Sequence, residues 1–158
     1  MPDETALRKQ ISHMLESEDA HAGFDAAVDG LAPELRGKAP PGLPYSPWQL
    51  VEHIRRTQAD ILEFCQAPKY AEKEWPKDYW PETAKPPTAK AWDESIAAIR
   101  RDRKALAALT MDTSIDLTAP VPNGTGQTYL REVLLVADHT AYHVGELIVV
   151  RRLLGAWK

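Results

Sequence analysis

The side chains in this sequence with the most chemistry to offer are its five histidines. Two of them, His139 and His143, lie four residues apart in the apolar segment "DHTAYHVGEL". On a helix that spacing sets both imidazoles on one face, one turn and about 6 Å apart along the axis. Such a pair can grip a metal ion, as it does in the H-E-x-x-H metalloproteases. Here the intervening residues are Thr140, Ala141 and Tyr142, so the protease glutamate is missing and that reading fails. The pair alone leaves two readings open. The imidazoles are metal ligands, or they are buried and satisfied by a carboxylate or a backbone carbonyl. A third ligand on a facing helix would favour the first, because bundle metal sites are built across a core from facing helices. His53 is a candidate, at the border of an apolar helix face in a stripe with Gln49, Thr57 and Asp60. The competing reading of His53 is a partly exposed helix residue. Three histidines from two helices would leave coordination positions open, the pattern of a catalytic or ligand-exchanging centre.

Four helical segments have to position these residues. The first is expected over about residues 4–31, with Leu7, Ile11, Met14, Leu15, Phe24, Val28 and Leu31 at helical spacing. Gly23 and Gly30 weaken it, and a break near residues 17–22 is compatible with the pattern. The second has a clear start: Ser46 as cap and Pro47 at the first helical position, running from Trp48 to about Gln66. Leu50, Ile54, Ile61 and Cys65 mark its buried face, and Pro68 stops it. The third is expected from about Thr88 to Leu109, with Trp92, Ile96, Ile99, Leu106 and Leu109 as its stripe. The fourth starts at Thr128 and is apolar around most of its circumference, which places it centrally or at a subunit interface. With no strand-period segment, the fold class is all-α, most simply a four-helix bundle. Between Pro68 and Pro87 a loop carries Tyr70, Trp75, Tyr79 and Trp80. It is read as a stiff cover over the core, with a pocket wall as the alternative.

Composition narrows the function. The 158 residues fit one domain, and 44% of them are hydrophobic, an ordinary globular share. A net charge of −4 leaves no basic footprint for nucleic acid, and the run from Arg100 to Lys104 is read as a solvated helix face. The N-terminus lacks the apolar core of a secretory signal. The apolar stretch from Leu130 to Leu154 is interrupted by Arg131, Glu132, Asp138, Glu146, Arg151 and Arg152, so no membrane span is expected. Cys65 is the single cysteine, so no internal disulfide can form; it is read as a small apolar core residue. A cytoplasmic location is the default expectation.

"YSPWQLVEHIRRTQADILEF", followed much later by "LREVLLVADHTAYHVGELIVVRRLLGAW", resembles the DinB/YfiT-like superfamily of metalloenzymes. The spacing from Trp48 to His53 and the H-x-x-x-H-x-G segment are the most specific parts, and the likeness runs through essentially the whole chain. It implies a single domain over residues 1–158 with the DinB-like four-helix bundle. It implies one divalent metal ion, zinc or nickel most often, held by His53, His139 and His143. Characterised members include metal-dependent transferases and isomerases that use a small-molecule thiol such as bacillithiol, mycothiol or glutathione. The expectation is therefore a thiol-dependent S-transferase or a related hydrolase acting on a small molecule, in a homodimer. The alternative is a non-catalytic protein that binds a metal or small ligand.

Where members often carry Gln after the glycine of the last motif, this chain has Glu146. Glu146 shares the histidine face, so it can orient an imidazole, bind the metal or act as a base; a rim charge paired with an arginine is the plain alternative. His21 is a further candidate for approaching the pocket from the first helix, and a surface role competes. Asp60 is read either as support behind the ligands or as a surface ion pair. Gln49 and Tyr142 complete the expected surroundings of the site.

Overall fold

The computed structural model describes residues 4–16 and 19–157. Five α-helices and one short 3-10 turn make up its regular structure, with no strand among the described residues. The helices are α1 (Glu4–Glu16), α2 (Phe24–Val28), α3 (Pro47–Gln66), α4 (Ala91–Met111) and α5 (Tyr129–Leu153). Helices α4 and α5 each pack against both α1 and α3, which sets the four long helices in the cyclic order α1, α4, α3, α5.

The N-terminal segment over residues 4–31 is two helices, parted about where the glycine pattern left a break open. α1 ends at Glu16, α2 starts after Gly23, and Gly30 takes φ +64°, a left-handed conformation that ends the segment as a helix. Its apolar stripe also needs correction. Leu7 and Met14 are more than half exposed, while Arg8 is only 2% exposed beside Ile11 and Leu15. The cause is at the far end of α4. The Arg8 guanidinium donates to the carbonyls of Thr110 at 2.9 Å, Asp112 at 2.9 Å and Ile115 at 2.6 Å. These are carbonyls that the last turn of α4 and the loop after it cannot satisfy themselves. A buried cation here is fully hydrogen-bonded, so it tolerates desolvation.

The starts of α3 and α5 follow their sequence signals. The Ser46 hydroxyl accepts from the Gln49 amide while the Gln49 side chain accepts from the Ser46 amide, a reciprocal capping box with Pro47 behind it. The Thr128 hydroxyl accepts from the Arg131 amide at the head of α5. Both helices run through two apolar clusters. One joins Leu50 and Ile54 to Val144, Leu147 and Val150; the other joins Ile61 and Cys65 to Val133 and Val136. This pairing makes α3 and α5 antiparallel and sets His53 opposite His139 and His143 where the clusters meet. Burial pushes the Cys65 thiol up to about 12, with the charge of Glu132 adding to it, so this cysteine is a packing residue.

Helix α5 is not enclosed within the chain. Leu134, Tyr142, Val149 and Leu153 stay between 39% and 65% exposed along one face. By length and composition α5 is the one helix among the described residues long and apolar enough to cross a membrane. Core helices share that composition, and α5 gives five valine and leucine side chains to the two clusters. The basic run on α4 is only in part a solvated face. Arg100 and Arg103 both clamp Asp25 of α2, at 2.6 and 2.7 Å, and Asp102 is buried.

Candidate metal centre

Helix spacing and antiparallel packing bring His53, His139 and His143 into one cluster. One ring nitrogen from each lies within 4.8 Å of the others, so the three could hold a metal ion. His53 and His143 are buried, at 2% and 7% exposure. Nε2 of His53 and Nε2 of His139 approach to 3.0 Å. Two ring nitrogens that close need one proton or one cation between them. Metal–nitrogen bonds of about 2.0–2.1 Å in tetrahedral geometry put two ligand nitrogens about 3.3 Å apart. The observed spacing is near that value, and an all-imidazole donor set suits a borderline-soft transition metal. The cluster therefore fits a metal ion.

The outer nitrogens of two of the rings are already committed. Nδ1 of His53 donates to the backbone carbonyl of Tyr79 at 2.9 Å, and Nδ1 of His143 donates to Oε2 of Glu146 at 2.7 Å. In a neutral imidazole this leaves the lone pair on Nε2, facing the cluster. Burial, helped by the facing His143, pushes His53 down to about 4, against the opposing pull of the Tyr79 carbonyl. Burial and the other two imidazoles push His139 down to about 3. Both are neutral at physiological pH, the form that ligates.

The loop over residues 67–90 both covers the core and lines pockets. Its backbone is held by α3. Besides the bond from His53, Arg56 donates to the carbonyls of Asp78 at 3.3 Å and Trp80 at 3.1 Å. The Trp80 ring lies flat on His53, with centroids 3.9 Å apart and 5° between planes, and Tyr45 stacks on its other side at 4.0 Å. The loop is also tethered through Asp60, which accepts from the hydroxyls of Tyr70 at 2.9 Å and Tyr79 at 2.6 Å. Asp60 thus bears on His53 through Tyr79.

The remaining expected site residues are scattered. Glu146 sits behind His143 as its hydrogen-bond acceptor, outside the three-histidine donor set and without an arginine partner among the described residues. Tyr142 is 65% exposed and meets His143 edge-on at 4.9 Å between centroids. Gln49 does not join the histidines through a hydrogen bond; its side chain is spent on the capping box. His21 is displaced from the site. It is exposed, and it lines a small cavity with Phe24, Val136 and Thr140, against a different side of α5. The split between α1 and α2 places it there. Sequence reasoning missed the carbonyl of Tyr79, the stacking of Trp80 and the part played by Tyr45. Of these only Trp80 had a signal, the aromatic richness of the loop.

A family model of the DinB superfamily matches residues 16–147, and the chain belongs to that superfamily. No curated protein and no solved structure matches the chain. Family membership and the histidine geometry agree, since the superfamily is metal-associated and the cluster could hold an ion.

Proposed function

We propose that the protein is a metal-dependent enzyme acting on small molecules, in which His53, His139 and His143 hold one divalent ion, zinc or nickel. The bundle formed by α1, α3, α4 and α5 would be its scaffold. The observation that carries the reading is the convergence of three ring nitrogens from two antiparallel helices, two of them with the opposite nitrogen tied down. Three protein ligands leave an open position. A bound ion supplies Lewis acidity there, lowering the pKa of a water or thiol. The chain's own residues do the rest. Tyr79 and Glu146 fix the tautomers of His53 and His143 and raise their basicity as ligands. Trp80 shields one face of His53 from water. The reaction class favoured is S-transfer from a small-molecule thiol to an electrophile, with hydrolysis as the close variant. Support for the thiol comes from the superfamily alone.

The purified chain should carry about one transition-metal ion per molecule. His139→Ala should lose it while keeping the helical circular dichroism; unchanged metal content would overturn the assignment. A screen of low-molecular-weight thiols with a model electrophile, and of simple esters and amides, reads the reaction class. The exposed apolar face of α5 supports a homodimer, to be checked by sedimentation equilibrium.

A further inference from the structure

Two clefts flank the histidine cluster, and their chemistry differs. The antiparallel register sets Thr57 and Leu135 on one side of the histidines and Leu50 and Val150 on the other. The first side opens into a cleft of about 680 Å³ with mixed walls that include several charged and polar side chains, among them Asp60, Lys73, Gln127 and Arg131. The second opens into a cleft of about 290 Å³ walled by Leu43, Tyr45, Leu50, Val149 and Val150. A single charged side chain lines it, that of Glu146. One Glu146 oxygen accepts from His143; the other has no protein partner among the described residues. No lysine or arginine lines the cleft to neutralise it.

We propose that this apolar cleft binds the hydrocarbon part of a small molecule whose cationic or hydrogen-bond-donating head meets the free oxygen of Glu146. Its link to catalysis rests on the metal reading above, but binding in the cleft needs no metal. Apolar walls reward removal of a hydrocarbon tail from water, worth about fourfold in affinity per methylene. A carboxylate with no lysine or arginine beside it attracts an ammonium head and rejects a carboxylate one. The cleft also lies next to the site, since Tyr45 in its wall stacks on Trp80, which stacks on the ligand His53. Gly145 forms part of the wall, and a Cβ added there meets nothing within 4 Å. The fold can therefore accept a larger side chain at this position, at the expense of cleft space.

The test titrates the full chain calorimetrically with n-alkylamines from butyl to octyl and with the matching n-alkylcarboxylates. Affinity should rise about fourfold per methylene until the cleft is full, and amines should bind about tenfold or more tighter than carboxylates. Gly145→Leu should weaken binding about tenfold or more, with unchanged helicity and metal content. Glu146→Gln should erase the head-group preference and keep the length dependence. No length dependence, equal head-group affinities, or full binding by Gly145→Leu would each overturn the proposal. So would conversion of a dimer to a monomer by Gly145→Leu, which would assign the cleft to contact between copies. If the amine series behaves as expected in a chain that holds no metal, the cleft stands and the metal reading falls.

Discussion

Removing the Asp60 carboxylate should loosen His53, an imidazole that it never touches. Asp60 is 8% exposed and accepts two tyrosine hydroxyls, from Tyr70 and Tyr79. Burial, and then the carboxylate itself, hold the Tyr70 hydroxyl up at about 12 and the Tyr79 hydroxyl higher still, so both remain donors throughout the accessible pH range. Hydrogen bonds to a charged acceptor contribute roughly 1.5–3 kcal/mol each. The tyrosines are partly exposed, which trims that contribution, so Asp60→Ala should cost about 2–4 kcal/mol in urea unfolding of the metal-free protein. The Tyr79 backbone then loses one of its anchors, leaving Arg56 on the flanking carbonyls, and the acceptor that orients Nδ1 of His53 is loosened. Loss of such outer partners lowers metal affinity by about 10- to 100-fold. Chelator competition with zinc measures this directly. Tyr79→Phe keeps the carbonyl and the Tyr70 bond, so it should lie between wild type and Asp60→Ala in both assays. If Asp60→Ala lost stability as expected but bound zinc with wild-type affinity, the loop tether would not be what orients His53.

Further outcomes can be checked in the same way. Ser46→Ala removes the cap of α3 and the hydroxyl's bond to the Ala84 carbonyl, and should cost about 1–2 kcal/mol in denaturant unfolding with metal content retained. Arg8→Ala leaves three carbonyls near the end of α4 without their donor and should cost about 3 kcal/mol, read as a shift in the urea midpoint at constant slope. Burial would raise the Glu52 carboxyl, but Arg55, Ser95 and Arg56 outweigh it and hold it below the usual carboxylate range. Its contribution is therefore present above the unfolded value near 4.5 and is lost as pH falls through the lower folded value. Glu52→Gln should flatten that acid limb in a pH series of unfolding curves.

How far the sequence spoke depended on whether a feature has a local signature. Ser46 with Pro47, and Thr128, announce helix starts because capping is a matter of neighbouring residues, and α3 and α5 begin there. The histidine faces were legible too, since spacing of three and four residues is geometry in one helix. The first segment misled, because Leu7 and Met14 continue an apolar rhythm that tertiary structure overrides: Arg8 is drawn inward by carbonyls about a hundred residues away in sequence. Of the two readings open for His21 the structure has the surface one, since His21 is exposed between α1 and α2. The partner of His53 was invisible in principle. A backbone carbonyl is present at every residue, so nothing in the type of Tyr79 marks its carbonyl as the acceptor. Asp60 was half legible, since it shares a stripe with His53, but its tyrosine partners sit in a loop whose path no periodicity reports.

The hold of the loop on His53 has an evolutionary consequence. Three successive carbonyls, those of Asp78, Tyr79 and Trp80, are gripped by side chains from α3, and a carbonyl survives any substitution of its own residue. Side chains of this loop that face the neighbouring clefts, the Tyr70 and Tyr79 tethers apart, are therefore free to vary while the path of the loop persists. Substitution can rewrite that surface one residue at a time without first disturbing the imidazole beneath it.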